Sequence, residues 1–390
     1  MTRSQVATRV NTKSMKIPLI KADLPTLEEV RGPFEEILGN GRITNFGKYV
    51  QQFEAETGDY LNAKTVALSS GTAGLIFALA GLGVKPGEKV ILPSFTFVAT
   101  AQAILCVGGV PLFAEVGDDL TLSPADVAQL LAQHDDVAAV IGVHMYGLPA
   151  RAAELERIVA EASVRRGRKI ALIFDGAHAF GSSIGGRRVG TFGDAEVFSL
   201  SVTKVMVSVE GGLVSTKSPE LIAAIRCMRN YGIHSNYNAT TIGLNGKMSE
   251  FHAIVGLHNL RRVDQMLAER QQKARWLRDQ IETQTPFRVS CWPSHVVHTF
   301  KDFTILLPPD AEMQREKLMQ FLAERGIETR AYFYPPVHEQ DYFRRWADRA
   351  LPATEKLARL VVTLPFFTSI TEAEMTYMVE SLKEAESVFL

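Results

Sequence analysis

Between about residue 64 and residue 216 the chain alternates short apolar runs with longer helical patterns. The runs Thr65–Leu68, Lys89–Leu92, Val110–Glu115, Val137–Val143, Ile170–Phe174, Ala195–Ser199 and Gly212–Thr216 are β-rich and have the length of strands. Helical patterns separate several of them. Ala73–Leu82 is closed by Gly83 and the turn Lys85-Pro86-Gly87. Ala125–Gln133 is opened by Ser123 as N-cap and Pro124 at the first helical position, and Ala150–Arg166 is a third. Short apolar strands joined by helices predict an α/β fold with a mostly parallel central sheet and helices on both faces.

The pattern changes after about residue 215. Residues 229–247 are polar and aromatic without a clear period. A long helical tract then runs from Ser249 to about Thr283, its dense charge marking a solvated face. Strand-like His298–Leu307 and the helices Met313–Arg325 and Thr371–Leu382 predict a smaller C-terminal α+β domain. The expected division is an N-terminal extension over 1–16, a large domain over 17–265 and a small domain over 266–390.

Composition narrows the class. The 390 residues are 46% hydrophobic and 22% charged, ordinary globular values that exclude disorder. Forty-two basic against forty-three acidic residues leave a net charge of −1, with no global footprint for a nucleic acid. Cys106, Cys227 and Cys291 form no CxxC pair, which argues against a metal ribbon or a disulfide framework and fits a reducing compartment. The first sixteen residues have no apolar core. The apolar stretch from Phe97 to Ala114 is broken by Thr100, Gln102, Gly108, Gly109 and Pro111, which fits a buried helix and turn better than a membrane span. A soluble, cytoplasmic protein without a structural metal or a membrane partner is expected.

Two short motifs carry little. Gly181-Ser182-Ser183-Ile184-Gly185 matches GxSxG, but a nucleophile elbow needs a helix after it, and the glycine-rich GGRRVGTFGD follows. Ser201–Lys204 matches SxxK without an SDN or KTG companion. Four other elements gain meaning together. Ser69-Ser70-Gly71-Thr72-Ala73 stands between a strand and a helix, where free amides form an anion site; alone, it reads more readily as a plain capped βα turn. Asp175-Gly176-Ala177-His178 follows the strand IALIF, where parallel sheets bind ligands; alone, it is equally an Asp cap beside a core histidine. Lys204 lies five residues after Ser199 in the hydroxyl-rich run SLSVTKVMVSV, a setting that lowers an amine's pKa and suits Schiff-base chemistry. Phe97 could stack on a flat ring or belong to the core. A phosphate cradle, a carboxylate for a ring nitrogen, a stacking face and an aldehyde-capturing amine are the needs of pyridoxal 5′-phosphate.

From about residue 17 to 388 the chain resembles the DegT/DnrJ/EryC1/StrS family of sugar aminotransferases, with the type I aminotransferase fold. The resemblance rests on GRITNFGKYVQQFEAETGDYL, SSGTAGL, VKPGEKVILPSFTFVATAQAI, FDGAHAFGSS, FSLSVTKVMVSVEGGLVST, GLNGKMSEFHAIVGLHNL and YFYPPVHEQDYF, in that order. It implies that Lys204 carries the cofactor and shuttles the proton. Asp175 would pair with the pyridine nitrogen, and His178 would meet the ring face or its 3-oxygen. Ser199, Gly71 and the amides of Thr72 and Ala73 would hold the phosphate, and Phe97 would stack on the ring. Asn245 matches the Asn of a GxNxR motif that reaches across a dimer interface, which implies a homodimer with shared active sites.

Departures accompany the match. Lys247 replaces the Arg of GxNxR, and Phe174 stands where an acidic residue commonly precedes the Asp. Lys204 itself favours transamination, since relatives that dehydrate sugars carry His there. The resemblance implies amino transfer from glutamate to a keto-sugar, most often nucleotide-linked. The alternatives are a cyclitol or other ketone, a sugar dehydratase, a PLP-binding protein without turnover, and a hydrolase using Ser183. The sugar pocket is expected from 229–242 and 330–338, with His234, Tyr332, Tyr334 and His338 as candidates.

Overall fold

The computed structural model describes residues 15–389, so the expected N-terminal extension lies almost wholly outside the described residues. All seven apolar runs are strands of one sheet. They are β1 (Lys64–Leu68), β2 (Lys89–Pro93), β3 (Val110–Ala114), β4 (Val137–Val143), β5 (Ala171–Asp175), then, after a small hairpin of β6 (Ser183–Ile184) and β7 (Arg187–Arg188), β8 (Ala195–Ser199) and β9 (Gly212–Thr216). Their spatial order is β1-β9-β8-β5-β4-β2-β3. β9 runs antiparallel to both β1 and β8, and the other pairings are parallel. The connection from β8 to β9 holds no helix, and strands joined without a crossover pair antiparallel.

Strand alternation sends side chains to two cores. Ala67, Ile91, Leu172 and Phe174 point to one face, with Phe53 and Leu155 of the helices α2 (Lys48–Leu61) and α6 (Ala152–Arg166). Val66, Leu68, Val90, Leu92 and Ile173 point to the other, where Leu75 and Ala78 of α3 (Gly71–Gly81) and Ala101 of α4 (Val98–Cys106) meet them. The helices α1 (Leu27–Asn40), α5 (Pro124–Gln133) and α7 (Pro219–Met228) complete the cover. Segment 229–247 contains only the short hairpin β10 (Ile233–Ser235) and β11 (Asn238–Ala239).

The long tract after Ser249 is two helices, α8 (Glu250–Leu260) and α9 (Val263–Gln284), not one. The break at Arg261-Arg262 lets α8 bury Ala253 and Leu257 in the first sheet core while α9 sends Ala274, Leu277 and Ile281 into a third core. That third core belongs to the C-terminal α+β unit, built on the antiparallel strands β12 (Arg288–Val289), β14 (Phe303–Leu306) and β15 (Val361–Leu364), with α10 (Arg315–Glu324) and α12 (Glu372–Phe389); α11 (Pro352–Leu360) leads into β15. Between β12 and β14, β13 (Val296–Val297) pairs back onto β6. The strand expected from His298 forms only from Phe303, because residues 299–302 turn aside toward the central sheet: Phe300 adopts φ 48° and the Lys301 amide bonds Tyr146 O. No helix among the described residues is long and apolar enough to cross a membrane.

Candidate active site

The carboxyl ends of β5 and β8, the N-terminus of α3 and residues from the C-terminal unit enclose a cavity of about 410 Å³. At α3, Ser70 is the N-cap and its Oγ accepts from the Ala73 amide at 3.1 Å. The amides of Gly71 and Thr72, at the first two helical positions, have no intrahelical acceptor and sit at the positive end of the dipole. Helix and strand meet closely here. A Cβ on Gly71 would lie 3.0 Å from Ser199 Cβ and 3.3 Å from Phe198 O, so glycine is required for the cradle to close.

Asp175 ends β5 and is buried at the cavity wall. Its Oδ2 accepts from Thr100 Oγ1 at 2.8 Å and its Oδ1 from the Ala177 amide at 3.1 Å. These two donated bonds fix the plane of its carboxyl group. Across the cavity Lys204 sits on a turn after β8, its amide bonded to Ser201 O. Its ammonium is pushed down to about 8, first by burial and next by the charge of Lys301. Burial and the neighbouring lysines push His178 well below its ordinary value, leaving a neutral imidazole. Its Nδ1 has no hydrogen-bond partner and faces Asp302 Oδ2, equally unpartnered, at 3.8 Å.

Gly71, Thr72, Phe97, Asp175, His178, Ser199 and Lys204 all line this cavity. Ala73 does not, and its amide is already taken by Ser70. Asn245 is exposed, outside the cavity, and bridged to Asn230. Of the further candidates Tyr332 is in the wall. Tyr334 is exposed, with the Arg315 guanidinium over one face of its ring, His234 is exposed in β10, and His338 is buried against Ser94. Ser183 lies in a two-residue strand with no helix after it, so the elbow geometry is missing. Sequence reasoning passed over His144, Thr100, Lys301 and Phe333. His144 had a legible signal, since it directly follows β4 where ligand-binding residues gather. It bonds Glu196 at 2.9 Å, both fully buried, and stacks on Phe174 at 5.0 Å.

The residues fit pyridoxal 5′-phosphate. Two open amides and a serine form an anion cradle, a carboxyl group of fixed plane suits a ring nitrogen, and an amine of lowered pKa lines the same cavity. The unpartnered His178 Nδ1 shows that the wall still holds a polar atom to be used.

The model of the DegT/DnrJ/EryC1/StrS aminotransferase family matches residues 26–383. GDP-perosamine synthase of Escherichia coli O157:H7 is 32% identical over 90% of this chain and 93% of its own. UDP-N-acetyl-3-dehydro-alpha-D-glucosamine 3-aminotransferase of Acidithiobacillus ferrooxidans is 31% identical over 93% and 96%. The crystal structure of DesI with its TDP-sugar product superposes with a TM-score of 0.86 at 29% identity, over 95% of this chain and 93% of that one. The chain belongs to the DegT/DnrJ/EryC1/StrS aminotransferase family.

Proposed function

We propose that this aminotransferase moves the amino group of glutamate to a keto-sugar linked to a nucleoside diphosphate, for amino-sugar biosynthesis. One observation carries the reading: Lys204, the Asp175 carboxyl and the N-terminal residues Gly71 and Thr72 of α3 line one cavity. Bound there, pyridoxal phosphate supplies an electron sink for the carbon beside the transferred nitrogen. The protein's own residues do the rest. Asp175, held by Thr100, would keep the ring nitrogen protonated. Ser199 and the amides of Gly71 and Thr72 would donate hydrogen bonds to the phosphate, and Lys204 would bind the aldehyde and carry the proton. Phe97 and Phe333, 6.1 Å apart between ring centroids, form an aromatic part of the cavity wall. The relatives named above act on GDP-, UDP- and TDP-linked sugars, which supports the nucleotide-linked class without choosing the nucleotide.

The reading extends to a homodimer. Tyr231, Tyr237, Ile242 and Leu244, in the segment that holds Asn245, are exposed, which supports a partner on this segment. The exposed Asn245 would complete the second subunit's phosphate site. A cytoplasmic location suits the three free thiols, two of them exposed.

The decisive experiment is the absorption spectrum of the loaded protein before and after glutamate, with Lys204→Ala as control. A Lys204-dependent visible band that glutamate bleaches supports the reading. A band that no amino donor bleaches overturns it.

A further inference from the structure

Segment 299–302 is built to hold one side chain in place. Thr299 Oγ1 bonds His178 O at 2.6 Å, and Arg270 bonds the carbonyls of both Thr299 and Phe300. Phe300 sits at φ 48°, a conformation that bulky residues seldom adopt without support from their surroundings. The next amide, that of Lys301, bonds Tyr146 O at 2.9 Å. Lys301 is thereby set into the wall of the active-site cavity, 7% exposed. Its Nζ donates to Asp302 Oδ1 at 2.7 Å and lies 5.6 Å from the centre of the Tyr332 ring. Asp302 stands behind the amine and does not line the cavity, so a ligand meets the ammonium and not the carboxylate.

Burying a lysine with its counter-ion costs more than packing apolar residues of the same volume. An ammonium has three donors, and among the described residues Asp302 alone accepts from Nζ. Among the lining residues only Lys204 and Lys301 are cationic, and Lys204 must lose its proton to act as a nucleophile. An amino-acid donor brings carboxylates into this cavity, and a carboxylate leaves water only for a cation or several donors. A sugar hydroxyl asks for much less.

We propose that Lys301, fixed by Asp302 and the Phe300 turn, is the subsite for a carboxylate of the amino-acid donor. The assignment rests on the aminotransferase reading above and adds where the donor is recognised. Asp302 is a positioning residue that holds the Lys301 amine in place at the cavity wall.

The test uses full-length protein loaded with pyridoxal phosphate, and glutarate, a dicarboxylate with no amino group to transfer. Calorimetric titration of Lys301→Met is expected to give glutarate binding weaker by about 10- to 100-fold, the worth of one charge-assisted hydrogen bond. Lys301→Arg restores most of it. Because Lys301→Met leaves Asp302 buried and uncompensated, the double variant Lys301→Met/Asp302→Asn is measured beside it and shows the same loss. Glutamate bleaching shifts to higher concentration by the same factor in each. Glutarate binding at wild-type strength in either variant, with the visible band intact, overturns the proposal and leaves Lys301 as a structural counter-ion. If no donor bleaches the wild-type band, the aminotransferase reading itself has failed, an outcome distinct from loss of glutarate binding in the variants alone.

Discussion

Thr100 Oγ1 donates to Asp175 Oδ2 at 2.8 Å, and Thr96 Oγ1 stands 2.9 Å behind Thr100. This short chain of hydroxyls, from the start of α4, sets the plane of the carboxylate that must face a ring nitrogen. Thr100→Val keeps the shape and removes the bond, leaving the Ala177 amide to hold Asp175. The expected result is weaker cofactor retention by about 1.5–3 kcal/mol, the range for a hydrogen bond to a charged group. Asp175→Asn should cost far more in turnover, because the amide cannot keep the ring nitrogen protonated. Cofactor dissociation constants and single-turnover rates separate the two effects.

The lowered pKa of Lys204 has a cost in stability with a definite sign. The folded value is about 8 against an ordinary 10.5, so between those values the unfolded chain holds a proton that the folded chain has released. Unfolding free energy therefore rises with pH across that window. Below pH 8 the penalty is complete, on the order of 3 kcal/mol. Lys204→Met should stabilise the cofactor-free protein by up to that amount at pH 7, and the gain should fade as pH approaches 10.5. Urea titrations at three pH values would check it. The same value predicts that capture of pyridoxal phosphate by the empty protein speeds up as pH rises through about 8 and then levels off.

The central sheet was legible because each strand is a short β-rich run, apolar at most positions, set off by turns or helical patterns. The cavity residues at strand ends, Asp175, Ser199 and Lys204, were legible for the same reason: the carboxyl ends of the strands could be located. Other parts were hidden by physics that one chain position does not display. The break between α8 and α9 falls at Arg261-Arg262, with neither Gly nor Pro, and is set by which core each helix faces. Thr100 lay inside a stretch that matched a plain buried helix. Lys301 and Phe333 reach the cavity from segments more than ninety residues beyond Lys204, by turns whose reason is contact with Tyr146 and His178. The helix α1 was missed although Thr26 and Glu29 form a capping box, because Pro33 and its glycines weakened the pattern.

His144, in the cavity wall, forms a fully buried pair with Glu196. The Ala150 amide donates to His144 Nδ1 at 2.8 Å, which places the ring proton on Nε2, aimed at Glu196 Oε2. Glu196 Oε1 takes the amides of Gly190 and Phe192. His144→Leu strands a carboxylate with only those two donors and should lower stability by about 3–5 kcal/mol. Replacing both partners, His144→Leu with Glu196→Met, should recover much of that loss. Denaturant midpoints of the single and double variants give the comparison.

The aromatic wall of the cavity is tied to the sheet at one serine. Ser94 follows β2. Its hydroxyl accepts from the His338 amide at 2.9 Å and meets His338 Nδ1 at 2.6 Å, and its carbonyl accepts from Val337. His338 Nε2 then faces Glu355 Oε1 at 3.3 Å. Ser94→Ala removes both hydroxyl contacts and is expected to cost about 1–3 kcal/mol. Because Tyr332 and Phe333 lead directly into this tether, the variant should also raise KM for the keto substrate more than it lowers kcat. Steady-state kinetics at a temperature where the variant is folded would show the split.

Asn245 offers the sharpest test of a shared site. It is exposed and stands apart from the cavity of its own subunit, so its substitution should spare the cofactor contacts made within one chain. Asn245→Ala and Lys204→Ala should each be nearly inactive as homodimers if Asn245 serves the neighbouring phosphate site. Mixing the two after dissociation changes the count. Half of randomly formed dimers are mixed, and in each mixed dimer one site combines an intact Lys204 with an intact Asn245. Roughly a quarter of all sites, and so of wild-type activity, should return. Subunits that each carried a complete site would gain nothing on mixing, and Asn245→Ala would then keep its activity from the start.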